Sequence, residues 1–547
     1  MRPGQGAPLG AGLLTLIASV ALTWPWLPQA ASAHVPSAFG DSHAWVLEQL
    51  LAAGGALDRL CEAGFPVERS ARAIAMAPLL MYAPLRLIAE PLVAAALVQL
   101  LALPLSAALA TALVRRATDA PAPLAALLGA CWALCPTLLG AFASLELSNT
   151  AAWALPAFLL ALGETRRGRA WVLLPAVIAA LTAFTSPYYG LALPLLGLGW
   201  AAFALRDGWR LPSVGLRLGL VALALLPARA FYDPGQGSGA GDSLFWPAQR
   251  AALAPGPLPQ PAPVATLDGL LWSAPEAVGS PYEVQHVAWV GPVLVTLGLW
   301  GLLGGAGKGR RLGLSLTLGG LALSLGPALA VGDRYLSLAG GLIPGPVWLL
   351  EAAGYPTALG GLYYRYVVVL VLGLVLGVAR LGARYPFAQP LLALGLLVGV
   401  ADGLRRVGPG WPLAVEALPV GALAALPPGE GAILELPLPG PTDGHFGQAG
   451  LLRSLLLDRP TTALPRAFLE GHPAREPLEA AVAQASAAPL RAAGYRFVAL
   501  PVELAPFSQP GLSVLRQILG DPVIEEAGLI LWDLGPAVVP ACWSRPG

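Results

Sequence analysis

The chain has 547 residues, of which 56% are hydrophobic and 12% are charged, and its net charge is +1. Soluble domains carry roughly 25% charged residues, so the composition excludes a soluble globular protein and indicates helices that face lipid or each other. The near-zero net charge also argues against a nucleic-acid partner.

Apolar segments long enough to cross a bilayer recur through the first four hundred residues. We predict about eleven transmembrane helices on this basis. Their predicted ranges are 10–29, 92–114, 121–141, 148–163, 170–187, 188–205, 213–231, 286–304, 311–331, 364–381 and 387–404.

Basic clusters stand in every second gap between these segments. They are Arg115-Arg116, Arg166-Arg167-Arg169, Arg206 with Arg210, Lys308 with Arg310 and Arg311, and Arg380 with Arg384. Because short cytoplasmic loops retain Lys and Arg, the alternation predicts a cytoplasmic N-terminus. With an odd number of spans, the C-terminus is then expected to be extracytoplasmic.

The first apolar segment has two interpretations. Ala31-Ser32-Ala33 fits the cleavage motif of a signal peptide. We favour a retained first helix, because a multispanning protein needs no separate export signal. With either interpretation, residue 34 onward emerges on the outer face.

Two domains are predicted. Residues 1–410 form a multispanning domain, and its long outer loops are 30–91, 232–285 and 332–363. The composition changes near residue 411, and residues 411–547 have the strand and helix signals of a small extracytoplasmic α/β domain. The predicted strands are 431–437, 495–502 and 529–534, and the predicted helix is 476–493.

Asp41 is the first candidate for chemistry. It follows the first span by about ten residues, stands next to Gly40 and precedes an amphipathic stretch that starts at Trp45. A carboxylate there could act as a general base toward an acceptor hydroxyl, with His43 close enough to help bind a metal or a phosphate. The alternative is that Asp41 caps the helix that follows it.

Three further ionisable residues belong to outer segments. Glu146 lies in a short loop between the third and fourth predicted spans, where a carboxylate is either functional or simply solvated. Glu283 lies three residues before His286, which opens the eighth predicted span. This pair could coordinate a cation or a phosphate, and a helix-start glutamate beside a surface histidine is the alternative.

Arg365 is another candidate. It lies in Tyr364-Arg365-Tyr366 at the outer end of a late span, against the positive-inside trend. Binding of a lipid phosphate or pyrophosphate would explain an arginine there. The alternative is an arginine that snorkels from the span end within a belt of tyrosines.

This arrangement resembles the bacterial GT-C superfamily of membrane glycosyltransferases. The resemblance covers nearly the whole chain and implies an α-helical polytopic membrane fold with a small C-terminal α/β extracytoplasmic domain. It rests on Gly40-Asp41, Ser186-Pro187-Tyr188-Tyr189, Tyr364-Arg365-Tyr366, Ile433-Leu434-Glu435-Leu436-Pro437 and Tyr495-Arg496-Phe497-Val498.

In this superfamily an acidic residue of the first outer loop is the catalytic base, and the donor is a polyprenyl-phosphate-linked sugar. The resemblance therefore implies that Asp41 is the base and that Arg365 and His286 contact the donor phosphate. Many members have paired acidic residues in this loop, whereas Ser42 stands here, so a divalent cation is compatible with the resemblance but not required by it. The other candidates for donor or substrate binding are His43, Glu146, Glu283 and Tyr364.

The resulting hypothesis is an integral membrane glycosyltransferase, a hexosyl or pentosyl transferase, that moves a sugar from a polyprenyl-phosphate donor to an extracytoplasmic acceptor. The resemblance implies a location in a bacterial cytoplasmic (inner) membrane, and the expected partners are that donor and the membrane lipids. The alternative is a non-catalytic membrane protein that transports, scaffolds or presents a cell-envelope lipid or glycan, and it predicts that Asp41 can be replaced without loss. The scarcity of ionisable residues within the spans disfavours a secondary transporter.

Overall fold

The computed structural model describes most of the chain. The described residues are 6–35, 40–52, 76–143, 150–164, 168–206, 208–232, 257–258, 264–271, 288–353, 355, 362–407, 415–426, 431–438, 448–457, 459, 461–462, 474–526 and 528–537.

Helices follow one another from residue 6 to residue 407. They are α1 (Gly6–Thr23), α2 (Gly40–Ala52), α3 (Met76–Arg86), α4 (Pro91–Ala117), α5 (Ala122–Ala133), α6 (Pro136–Ala143), α7 (Ala154–Leu162), α8 (Arg169–Ala183), α9 (Pro187–Arg206), α10 (Leu211–Tyr232), α11 (Pro292–Leu303), α12 (Arg310–Ser324), α13 (Pro346–Ala352), α14 (Val367–Arg384) and α15 (Gln389–Val407). Short 3-10 turns directly precede three of them, Ala151–Trp153 before α7, Tyr363–Tyr366 before α14 and Pro386–Ala388 before α15.

Every predicted span coincides with a helix or a pair of helices, and the protein is a multi-pass membrane protein. In the described part of the chain, six helices are long and apolar enough to cross a bilayer, and the bent pair α5–α6 makes a seventh if it forms one span. The remaining predicted spans correspond to shorter helices. The total of eleven therefore stays a prediction.

Proline and glycine account for the breaks that the hydropathy pattern did not show. The third predicted span is bent by 51° between α5 and α6, because Pro136 has no N–H to continue the hydrogen-bond ladder of α5. The eighth span was predicted to open at His286, which is wrong: its helix begins at Pro292, after Gly291 with φ of 87°. The ninth ends at Ser324 rather than at residue 331, just before Gly326 and Pro327.

Helix α14 is the centre of the bundle, and its span is 89% buried. Glycines allow α11 and α12 to approach its backbone on two sides. A β-carbon on Gly377 would collide with the carbonyl oxygen of Gly298, and one on Gly320 would collide with the backbone of Leu370. Small residues at helix contacts are the usual packing device in membranes, where burial of apolar side chains gives little extra driving force.

The C-terminal region contains a four-stranded sheet, here called the tail sheet, with strand order β7-β8-β10-β9. Its strands are β7 (Ala432–Glu435), β8 (Tyr495–Pro501), β9 (Ile524–Glu526) and β10 (Leu529–Asp533). Strand β7 is parallel to β8, and the other pairs are antiparallel. The six remaining strands have two residues each: β1 (Ala33–His34), β2 (Ala330–Val331), β3 (Arg334–Tyr335), β4 (Ser337–Leu338), β5 (Gly341–Leu342) and β6 (Glu416–Ala417).

Both faces of the tail sheet are covered by short helices, as in a small α/β fold. These helices are α16 (Val420–Ala424), α17 (Gln448–Leu457), α18 (Arg475–Ala483), α19 (Ala488–Ala492) and α20 (Leu512–Leu519). The single helix predicted over 476–493 is wrong, because the chain turns at Ala485 with φ of 44°. One face packs Trp532 and Tyr495 against α18 to α20, and the other packs Phe497 against α16 and α17. The proposed domain boundary near residue 411 stays a prediction.

Candidate functional site

A carboxylate on α2 fixes that helix to α3. Glu48 Oε2 accepts a hydrogen bond of 2.6 Å from the hydroxyl of Tyr82, and Arg86 Nε lies 3.1 Å from the same oxygen. Arg86 also donates through Nη1 to the carbonyl oxygen of Ala89. Burial, and then the hydrogen bond to Glu48, raise the pKa of Tyr82 well above its ordinary value, so the phenol stays protonated as the donor at neutral pH.

The opposite end of α3 contacts the connection between α8 and α9. The backbone N–H of Ala77 donates to Thr185 Oγ1 at 2.9 Å, and that of Met76 donates to the carbonyl oxygen of Phe184 at 3.4 Å. Thr185 and Ser186 are buried, and α9 begins directly after them at Pro187. Helix α3 therefore connects α2 to the Ser186-Pro187-Tyr188-Tyr189 turn.

Tyr188 of this turn contacts Arg365. The guanidinium carbon lies 4.3 Å from the centre of the Tyr188 ring and 5.7 Å from that of Tyr364. Arg365 Nε donates to the Tyr364 hydroxyl at 3.1 Å. The arginine is only 6% exposed, so these cation–π and hydrogen-bond contacts hold it in one orientation.

The neighbourhood of Arg365 is aromatic. Tyr363 and Tyr366 are both fully buried, with ring centres 6.5 Å apart. Tyr355 donates a hydrogen bond to the carbonyl oxygen of Leu191 on α9. Tyrosine rings and hydroxyls thus surround the N-terminal end of α14, which is the end predicted to lie on the outer side.

The second and third outer loops also pair with each other. Asp268 Oδ1 accepts a hydrogen bond of 2.8 Å from the backbone N–H of Gly332. Burial alone would raise the pKa of Asp268, but the hydrogen bonds from Gly332, Thr266 and Gly269 outweigh it and hold that pKa below its ordinary value. The backbone N–H of Leu258 adds a bond to the carbonyl oxygen of Asp333.

The predicted site residues divide into two groups. Tyr364 and Arg365 are in contact, as the Tyr-Arg-Tyr motif suggests. Asp41 is the second residue of α2, so the helix begins one residue before it, and its role as base or cap stays a prediction. The remaining candidates, along with the side chain of Asp41, lie outside the described residues: His43 (side chain), Glu146, Glu283 and His286.

Sequence reasoning missed the residues that join the two halves of the site. Glu48 stands seven residues after Asp41, which is two helical turns, and this spacing could have identified it. Tyr82 and Arg86 had no comparable signal, because their partner lies 34 and 38 residues away. Trp45, one turn after Asp41, is fully buried, and its indole N–H has no hydrogen-bond partner among the residues that the structure describes.

Metal binding has no support from the part of the chain that the structure describes. Within it, no three His, Cys, Asp or Glu side chains are grouped so that they could hold a metal ion. The divalent cation at the first outer loop therefore stays an expectation.

Comparison with known proteins gives a match by structure alone. No family model and no curated protein matches the sequence. The arabinofuranosyltransferase AftD from Mycobacteria superposes with a TM-score of 0.55 at 15% identity, over 96% of this chain and 41% of AftD. The oligosaccharyltransferase of Archaeoglobus fulgidus superposes with a TM-score of 0.52 at 10% identity, over 93% of this chain and 72% of that protein.

The chain has the GT-C fold. This confirms the resemblance that the sequence motifs indicated. The chain spans about two fifths of the length of AftD, and both identities are low, so the likeness establishes the fold and leaves the substrates to be argued from the site. Within the GT-C fold, α3 and the α8–α9 turn bring the first outer loop and the Tyr364-Arg365 segment to one side of the bundle.

Proposed function

We propose that this protein is an integral membrane glycosyltransferase that moves a sugar from a polyprenyl-phosphate donor to an acceptor outside the cytoplasmic membrane. The observation that carries the proposal is Arg365, a buried arginine held between tyrosine rings at one end of the central helix of a GT-C fold.

Arg365 is suited to bind the phosphate of the donor. A guanidinium presents its N–H groups in a planar fork that matches phosphate oxygens, and it stays charged at every physiological pH. Tyr188 and Tyr364 fix the plane of that fork before the ligand arrives, which lowers the entropy lost on binding. The surrounding apolar helices would hold the polyprenyl chain in lipid.

Asp41 is the proposed base. Its carboxylate would take the proton of an acceptor hydroxyl while the hydroxyl oxygen attacks the anomeric carbon of the sugar. The bond between that carbon and the phosphate oxygen breaks, and the polyprenyl phosphate leaves with the electron pair. Arg365 would stabilise the charge that develops on the leaving phosphate.

The role of the contacts around α2 follows from this scheme. The hydrogen bond between Glu48 and Tyr82 connects α2, which carries Asp41, to α3. The contact of α3 with the α8–α9 turn then connects both helices to the turn that holds Arg365. A base and a phosphate site must keep a fixed separation to act on one substrate, and α3 supplies a rigid connection between them.

The first experiment compares the wild type with Asp41→Asn in lipid, using radiolabelled polyprenyl-phosphate sugars that carry different hexoses and pentoses. Donor binding and the transfer of label to water or to added acceptors are both measured. We expect Asp41→Asn to retain donor binding and to lose about a hundredfold or more of the turnover. Asp119→Asn is the matched control, since Asp119 is exposed and forms its salt bridge with Lys308 at the opposite end of the bundle.

The other outcomes decide against the proposal. Binding without turnover in the wild type would indicate a lipid-handling protein with the GT-C fold. Equal turnover by the wild type and Asp41→Asn would remove Asp41 from the mechanism. Absence of binding for every donor, by a protein that remains folded, would contradict the polyprenyl-phosphate substrate.

A further inference from the structure

Helix α17 connects the tail sheet to the first outer loop. Three consecutive residues of this helix contact three different parts of the molecule. Leu452 packs against α2 and α4, Arg453 pairs with the end of β7, and the Ser454 hydroxyl donates to the carbonyl oxygen of Arg459. A single helix is thus fixed on one side by the sheet and on the other by the loop.

The contact with the loop is apolar. Leu452, 2% exposed, forms a cluster with Ala44 of α2, Leu92 of α4 and Leu418, which follows β6. Leu455, one turn later, packs on the same cluster and on the adjoining one around Trp45. The surface of α2 that begins one turn after Asp41 is therefore covered by α17.

The contact with the sheet is a buried ion pair. Arg453 Nε lies 3.1 Å from Glu435 Oε1, and Nη2 lies 2.6 Å from Oε2, so the pair is bidentate. Its side chains are 6% and 4% exposed. Removing one partner from such a pair leaves a charge buried without compensation, which is strongly unfavourable. The pair therefore fixes the orientation of α17 on the sheet.

A second connection holds the start of the same loop. Strand β1 (Ala33–His34) pairs antiparallel with β6 (Glu416–Ala417), and the backbone N–H of Leu418 donates to the carbonyl oxygen of Ser32 at 2.8 Å. The chain just before Asp41 and the helix just after it both rest on residues from beyond the last predicted span.

We infer that Arg453 is a positioning residue for the first outer loop: its bond to Glu435 holds α17 against α2 and so sets where Asp41 stands relative to an acceptor bound by the C-terminal region. The catalytic part of this inference rests on the proposed function. The mechanical part, that the ion pair orders α2, stands independently of it.

The test uses the full-length protein in lipid and two kinds of readout. Hydrogen exchange reports the order of α2 over residues 44–50, and steady-state kinetics report transfer to an acceptor. In Arg453→Met we expect exchange of these amides to rise about tenfold or more. We expect kcat for acceptor transfer to fall about tenfold, whereas KM for the donor and hydrolysis of the donor by water change less than about twofold, since Arg365 is not touched. Arg453→Lys, which keeps the charge but loses the fork, should recover part of both effects.

The chain offers a matched control for the loss of an ion pair. Arg516 of α20 and Glu525 of β9 also pair at 2.6 Å in the C-terminal region, but their side chains are 41% and 50% exposed. Arg516→Met should change neither the exchange of α2 nor the transfer kinetics. If it has the same effect as Arg453→Met, the effect is general loss of stability and the inference is wrong.

Faster hydrogen exchange of residues 497–500 in Arg453→Met would show that this variant unfolds the tail sheet. In that case Leu452→Ala is the second test. This variant keeps the ion pair and removes the contact with α2, and we expect the same rise in exchange over residues 44–50. Unchanged exchange of α2 in a folded Leu452→Ala protein would overturn the inference. If exchange rises as expected while Asp41→Asn is fully active, the mechanical coupling stands and the proposed base is wrong.

Discussion

The arginines at the two ends of α14 differ in what surrounds them. At the end predicted to be cytoplasmic, Arg380 donates three hydrogen bonds of 2.7 to 3.0 Å to carbonyl oxygens in and beside the turn between α11 and α12. Arg384 donates to a fourth, that of Gly304. At the other end, Arg365 is in contact with the rings of Tyr188 and Tyr364.

This difference separates a structural arginine from a candidate ligand-binding one. Carbonyl groups at a helix end lack intrahelical partners, and a positive charge there is stabilised by the helix dipole as well as by the hydrogen bonds. Arg380 and Arg384 are therefore explained by the fold that they hold together. The rings of Tyr188 and Tyr364 and the Tyr364 hydroxyl hold the guanidinium of Arg365 in one orientation, as a site that binds a phosphate through a planar fork of N–H donors requires.

The largest expected effect comes from separating α14 from its neighbours, because both ends then lose their surroundings. In Gly377→Leu, the new side chain would collide with the carbonyl oxygen of Gly298 on α11. Backbone atoms cannot move aside as a flexible side chain can, so we expect a loss of about 3 kcal/mol or more in the free energy of unfolding. The yield of monodisperse protein and its thermal unfolding in detergent measure this.

Gly399→Leu is the control for that prediction. Gly399 lies on α15, where an added β-carbon would meet no atom within 4 Å, so the same substitution should fold normally. If Gly377→Leu is as stable as Gly399→Leu, the close approach of α11 and α14 does not hold the bundle together.

The next effect distinguishes the two ends directly. Arg365→Lys should weaken binding of a polyprenyl-phosphate donor about tenfold or more, because an ammonium lacks the bidentate fork, while thermal stability changes little. Arg380→Lys should leave donor binding unchanged and lower stability by about 1–2 kcal/mol, since a lysine cannot reach all three carbonyl oxygens. Donor binding and thermal unfolding of the two variants are measured side by side. If Arg365→Lys binds normally and only loses stability, then Arg365 is an aromatic-belt anchor, and the phosphate site is elsewhere.

Local patterns predicted the helices well and the site only in part. Alternating apolar segments and basic gaps placed α14 and α15, and the amphipathic stretch at Trp45 placed α2. Breaks were missed where a single Pro136 or Gly291 interrupts a segment whose hydropathy does not change.

Contacts between distant residues could not be predicted in this way. Nothing in the local sequence of Tyr188 indicates that it stacks on Arg365. The sequence around Glu435 likewise does not predict its ion pair with Arg453. Such pairs are determined by how whole helices pack, and hydropathy sets only which side of each helix is buried. The Tyr364-Arg365-Tyr366 motif was found because an arginine on the outer side violates the positive-inside trend, which is a property that the sequence itself displays.

A smaller effect is expected for the hydrogen bonds that connect α2 to α3, in which Glu48 of α2 accepts from Tyr82 and Arg86 of α3. Glu48→Gln removes the charge that pairs with Arg86 and weakens the acceptor for Tyr82. Because these side chains are partly exposed, we expect a loss of about 1 kcal/mol, seen as faster hydrogen exchange in α2 and α3 with α14 unaffected. Glu525→Gln, in an exposed pair of the C-terminal region, should not alter exchange in α2. Uniformly faster hydrogen exchange across the bundle in Glu48→Gln would show that Glu48 stabilises the whole fold rather than the contact between α2 and α3.

The smallest effect concerns the pairing of the second and third predicted outer loops through Asp268 and Gly332. Asp268 has a folded pKa below its unfolded value, because its carboxylate accepts the Gly332 N–H. A carboxylate with a depressed pKa stabilises the folded state above the unfolded pKa of about 3.9, and this contribution is lost as the pH falls through the folded value.

The wild type should therefore exceed Asp268→Asn in thermal stability at neutral pH by about 1 kcal/mol or less, given the partial exposure of the group. The difference should shrink as the pH falls below the unfolded pKa and vanish once the pH lies below the folded one. Asp333→Asn, next to Gly332 in the third loop and 77% exposed, is the control and should keep the thermal stability of the wild type. A difference between wild type and Asp268→Asn that persists in acid would mean that the amide itself, and not the lost charge, disturbs the loops.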